Sequence, residues 1–186
     1  MDFIYDTNRE PAAAQLRTQT RAQHDMVDAL YSRFDLAVRA SYGAFLTAQY
    51  RAVAATESAL AAFPSFPMWR PRVELIAADL RELGVALPAP LHIDVDGSVA
   101  QAHGLLYVTE GSRLGGRLLI RGVAPAFPIS FLSDGHHPGE WKRLLAAINQ
   151  LAETHPQALT ALIAGADAGF RLFAEAATIS GAAAAP

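Results

Sequence analysis

Residues 104–116, GLLYVTEGSRLGG, keep their apolar side chains at helical spacing yet hold three glycines within six positions. Each glycine inside a helix costs about 0.5–1 kcal/mol relative to alanine, roughly 2–3 kcal/mol in all. A helix that accepts such a loss needs either a bend or the close approach of something to its backbone. Tyr107, Gly111 and Gly115 stand at i, i+4 and i+8, so they form one ridge almost bare of side chains beyond the tyrosine. Arg113, Arg117 and Arg121 repeat every four residues. They lie about 200° around the helix from that ridge, which predicts one bare face and one basic face. Two partners suit the bare face: another helix at small-residue spacing, or a flat ligand.

The rest of the chain reads as helix too. Apolar periodicity predicts helices over residues 13–34, 38–63, 72–83, 97–120, 139–153 and 156–178. Residues 64–71, with three prolines, break the second from the third. Gly84 stands where a helix-ending glycine belongs. The stretch PLHIDVDGS, 90–98, alternates weakly and reads as a loop rather than a strand. The expectation is an all-α single domain: a loose arm over 1–12, the domain over 13–179 and a fraying tail over 180–186.

Composition narrows the function. The 186 residues are 52% apolar and 18% charged, which suits a packed core rather than a disordered chain. The net charge of -3 disfavours non-specific nucleic-acid binding and attachment to acidic membranes. Without cysteine there are no disulfides, thiolate metal sites or cysteine nucleophiles, in keeping with a cytoplasmic home. The first ten residues, MDFIYDTNRE, are too polar for a signal peptide, and no run of ~20 apolar residues exists to span a membrane.

His24 sits within an otherwise apolar helical stripe. Arg17 and Tyr31 stand seven residues before and after it, and continuous helix would put all three on one face. Asp28, four residues on, can orient the imidazole through its second nitrogen. A histidine so placed is either a satisfied core residue or a metal ligand. His92, His103, His136, His137 and His155 fall in or beside loops and read as surface residues. No GxxxxGK[ST], GxGxxG or HExxH motif occurs, and the paired Glu-x-x-His motifs of a di-iron bundle are missing. One axial histidine opposite a glycine-bared helix is an arrangement suited to a planar metallocycle, with an arginine able to reach a carboxylate on its edge.

The residues resemble those of the bacterial heme oxygenases. LRTQTRAQHDMVDAL (16–30) is similar to that family's proximal helix and GLLYVTEGSRLGG (104–116) to its distal helix. FLSDG…W (131–141) and AGADAGFRLF (164–173) follow in the expected order. The resemblance implies a helical bundle holding heme between a proximal helix and a glycine-kinked distal helix. It implies His24 as the iron ligand, with Thr20, Val27 and Asp28 on the proximal side. Arg17 and Tyr107 would meet propionates, and Phe170 would pack on the pocket. Gly111, Ser112, Gly115 and Gly116 would line the distal face, with Gly111, Ser112 and Gly115 taking part in catalysis. Ser112 stands where animal relatives carry aspartate.

The implied activity is O2- and reductant-dependent cleavage of heme, at once substrate and cofactor, to biliverdin, CO and Fe2+. A ferredoxin-type donor would supply electrons, with the arginine ridge as its candidate docking site, and a bacteriophytochrome could accept the biliverdin. The other reading is a heme carrier or sensor with the same pocket and no turnover.

Overall fold

The computed structural model describes residues 10–63 and 69–183. Most of the expected arm, the end of the expected tail and most of the proline-rich break therefore fall outside the described residues. Eight α-helices follow one another: α1 (Ala12–Gln19), α2 (Arg21–Tyr31), α3 (Arg39–Leu60), α4 (Val73–Glu82), α5 (Val99–Leu119), α6 (Ser130–Ser133), α7 (Glu140–Thr154) and α8 (Ala158–Ala183). No strand occurs among the described residues, and none of their helices is long and apolar enough to cross a membrane.

The first expected helix is two. Thr20 leaves the helical region (φ -99°, ψ 8°), and its hydroxyl donates to the Leu16 carbonyl at 2.8 Å. A threonine bonded back to the residue four before it bends a helix. The break at Thr20 leaves Arg17 on α1 and His24 and Tyr31 on α2, so the three do not lie on one continuous helix as expected. Tyr31 instead packs its ring against Phe34 and Phe45.

α5 packs chiefly against α8, and glycine permits it. A Cβ on Gly104 would lie 1.9 Å from the Leu162 carbonyl oxygen, and one on Gly165 would lie 1.9 Å from that of Gln101. The two backbones touch through these positions. α3 lies across α8 and buries an alanine face (Ala48, Ala52, Ala55) together with Tyr42, Phe45 and Leu46. The α4 end is a Schellman motif: Gly84 (φ 69°) donates to Arg81 O and Val85 N to Leu80 O. Residues 85–98 then cross the surface without regular structure, turning Leu91, Ile93 and Val95 inward.

Three helix starts take their caps from distant side chains. Asn149 accepts from Ala13 N at 2.9 Å. The Glu57 carboxylate accepts from Arg72 N and Val73 N at the start of α4. Buried Asp79 accepts from Ser130 N and Phe131 N at 3.1 and 2.9 Å, at the start of α6. A carboxylate at a helix N-terminus satisfies orphan N–H groups and faces the favourable end of the helix dipole. α8 runs to Ala183, beyond the end expected near Thr178, and buries Ser180.

Candidate functional site

α2 supplies His24. Its ring is exposed (59% of the side chain) and meets the Phe170 ring of α8 edge-on, with centroids 6.0 Å apart. Nδ1 lies 3.3 Å from Asp28 Oδ2 and 3.7 Å from Asp25 Oδ1. That pairing turns the other nitrogen, Nε2, away from the carboxylates. Gln23 holds α2 to α8 by donating to Asp167 at 3.0 Å. Val27 packs partly buried against the core, while Thr20 is buried with its hydroxyl already committed to Leu16.

α5 supplies the second wall. A Cβ on Gly115 would meet nothing within 4 Å, and one on Gly111 would meet only the edge of the Trp141 indole at 3.8 Å. Leu114 and Leu118 flank these glycines and are 53% and 67% exposed. A bare backbone edged by exposed leucines is an apolar surface awaiting a partner. Tyr107, one turn earlier, packs its ring against Trp141, with centroids 5.4 Å apart and the planes inclined by 34°. Burial raises the proton affinity of its phenol, and the Arg17 charge opposes that.

Two expected distal residues are placed differently. Gly116 is buried, and a Cβ there would lie 2.7 Å from the Leu132 carbonyl oxygen, so this glycine serves the approach of α6 rather than the open face. The Ser112 hydroxyl points inward: it accepts from Arg72 Nη2 at 2.7 Å and donates to Thr109 O at 2.7 Å.

The expected basic ridge is also corrected. Arg117 and Arg121 are exposed, but the Arg113 guanidinium is wholly buried. It donates to Glu110 at 2.9 Å, to Asp134 and to the Arg70 carbonyl. Arg70 reaches Asp134 at 2.7 Å and Glu140 at 3.3 Å, and His136 bonds Glu110 at 3.0 Å. Fully desolvated charges of this kind persist only when paired. Burial alone would raise the Asp134 carboxyl; the Arg70 bond and the Arg113 charge outweigh it and hold the group below the usual carboxylate range. Burial, reinforced by the Arg113 charge, brings Arg72 down to about 10, so it stays charged at neutral pH.

Two histidines expected at the surface are drawn inward as well: His103 is buried within α5, and the His136 side chain is largely covered against Glu110. Arg72, Glu110 and His136 carried no sequence signal: Arg72 bonds Thr109 and Ser112, and Glu110 and His136 bond each other, all across long stretches of chain. No group of three or more His, Asp or Glu side chains that could hold a metal ion occurs among the described residues. An iron at this site would need a ligand that brings its own donors.

No family model matches the chain. Over 116 residues it is 37% identical to a heme oxygenase of Xanthomonas campestris pv. campestris (strain 8004), covering 56% of this chain and 66% of that protein. The chain thus spans just under two thirds of that relative's length. Its structure superposes on the NO- and CO-bound heme oxygenase of Neisseria meningitidis with a TM-score of 0.72, at 24% identity and over 92% of each chain. In sequence over little more than half of its length, and in fold over nearly all of it, the chain is similar to bacterial heme oxygenases.

Proposed function

We propose that this protein is a heme oxygenase, opening heme to biliverdin, CO and Fe2+ with O2 and external electrons. One pair of observations carries the reading: α2 presents an exposed histidine steadied through one nitrogen, and α5 presents two glycines at which an added Cβ would meet almost nothing. The residues present fit heme. Nε2 of His24 would hold the heme iron while Asp28 holds Nδ1, the outer-sphere pairing that orients a ligating imidazole. Gly111 and Gly115 let a flat macrocycle approach the α5 backbone, and Leu114 and Leu118 extend the apolar contact. Arg17 and the Tyr107 hydroxyl are a cation and a donor for one ring carboxylate.

When bound, heme supplies the iron that activates O2. This chain's own part is to bind, orient and exclude water. The Ser112 proton is held on Thr109 O, and Arg72 fixes the serine oxygen. Those groups stiffen the wall behind the glycines rather than offering a free donor. The exposed Arg117 and Arg121 are the remaining cations for docking a ferredoxin-type donor. Within the same reading the protein is cytoplasmic, and its biliverdin passes to a bacteriophytochrome.

The test is optical. Hemin-loaded protein given a reductant in air, with catalase present, should lose its Soret band and gain biliverdin absorption. His24→Ala should lose the axial-histidine signature and the product. A Soret band that persists in the parent under these conditions overturns the oxygenase reading in favour of a carrier or sensor.

A further inference from the structure

Trp141, at the start of α7, is the side chain nearest the bare backbone of Gly111. Its indole also packs against Tyr107, with centroids 5.4 Å apart and the rings inclined by 34°. It therefore sets the edge of the open face. The third ring of the cluster is His136, 5.8 Å from Trp141 and likewise inclined to it by 34°. His136 is nine-tenths buried, with 9% of its side chain exposed. Nε2 is tied to Glu110 at 3.0 Å, whereas Nδ1 is buried without any hydrogen-bond partner. Beside the rings lies a cavity of about 250 Å3 whose walls include Leu106, Leu144 and Trp141.

We propose that His136 is a positioning residue that seats the Trp141 indole against Tyr107 and Gly111, and that it releases the indole toward the cavity when it gains a second proton. The neutral ring suits its surroundings: Nε2–H donates to the Glu110 carboxylate, and Nδ1 keeps a lone pair. A proton added at Nδ1 creates a buried N–H with no acceptor, which costs on the order of 1–3 kcal/mol or more for a charged group. The surrounding charges do not reverse this. Glu110 and Arg113 face His136 from α5, Glu140 and Arg143 from α7, and Arg70 and Asp134 from the flanking segments. Glu110 is already shared with Arg113, and Glu140 with Arg70. Burial, the largest influence, lowers the histidine's proton affinity, and Glu110 only partly restores it. The switch therefore acts below the ordinary histidine range.

The proposed function is needed only for what the glycine face receives; the ring movement is a property of the heme-free protein. The experiment accordingly uses heme-free protein with Trp69→Phe, leaving Trp141 as the sole indole. Trp141 emission should be constant near neutral pH and shift in one transition on mild acidification. His136→Gln keeps an N–H for Glu110 and cannot be protonated, so it should keep the neutral spectrum and lose the transition. His136→Leu keeps bulk without the bond and should show displaced emission at all pH. The indole N–H resonance of Trp141 in the otherwise unaltered protein gives the same readout if Trp69→Phe fails to fold. The proposal is overturned if the parent shows no transition, if the transition survives in His136→Gln, or if His136→Leu emits like the parent. Hemin affinity should fall several-fold across the transition in the parent and stay flat in His136→Gln; equal pH dependence in both would also overturn it.

Discussion

The two helices that face the site are held in opposite ways. α2, which carries His24, has no fully buried residue and rests mainly on α8. α5, which carries the glycines, buries ten of its 21 residues and is locked from behind by charges. The difference teaches where precision resides. The glycine wall is part of the core and is fixed before any ligand arrives. The histidine wall has an exposed outer face and no buried residue of its own to fix it. Pre-organisation on one side and adjustability on the other let a large flat molecule enter and still meet a rigid surface.

The sharpest way to break this contrast is Arg113→Met. It leaves Glu110, Asp134 and the Arg70 carbonyl without their shared partner in the interior. Removing one member of a buried ion network costs about 3–5 kcal/mol. Urea melts should show that loss, whereas His24→Ala, at an exposed position, should stay within about 0.5 kcal/mol of the parent. Equal stability of the two variants would mean that α5 is not the fixed wall.

A second test compares glycines within α5. At Gly104 a methyl group would collide with the Leu162 backbone of α8; at Gly115 it would meet nothing. Overpacking costs about 1–3 kcal/mol, and against a backbone carbonyl that cannot turn aside Gly104→Ala should reach the top of that range or exceed it. Gly115→Ala should instead stabilise the heme-free protein by about 0.5–1 kcal/mol, because an exposed helical glycine is replaced without a clash. The same methyl group would stand on the open face, so hemin affinity should fall as stability rises. A Gly115→Ala variant that gained stability with unchanged hemin affinity would place the macrocycle elsewhere.

These positions also show what the residues alone disclose. The helical period, Gly84 and the glycine-bared face were legible because each depends on neighbours within a turn or two. So was the association of His24 with Asp28. Arg113 was misread for the opposite reason. Its spacing with Arg117 and Arg121 is real, but the acids that draw it inward stand at Asp134 and, on its own helix, at Glu110. Helical spacing tells which residues share a face and not whether that face is wet. Likewise nothing local marks Asp79 or Glu57 as caps for helices that begin well away from them along the chain. Gly104, Gly111, Gly115 and Gly116 look alike in sequence. They divide into a helix crossing, two open positions and an approach to α6 only once α6 and α8 are in place.

The smallest expected effect concerns the adjustable wall. Asp28 is 69% exposed on its side chain, and its contact with His24 spans 3.3 Å between two solvated groups. Such pairs contribute about 0–1 kcal/mol to folding, so Asp28→Asn should leave the urea melt unchanged. Its effect should appear only with heme bound. A carboxylate that accepts from Nδ1 makes the imidazole a stronger donor through Nε2, and an amide oxygen does so less. Asp28→Asn should therefore bind hemin within about tenfold of the parent, the lower end of what an outer-sphere change costs, and shift the iron–histidine stretching band to lower frequency. Asp25, at 3.7 Å from the same nitrogen, can take over part of the role, so Asp25→Asn with Asp28→Asn should shift the band further than either change alone. An unshifted band in the double variant would mean that His24 ligates without help from α2, and that the proximal wall contributes a donor atom but no tuning.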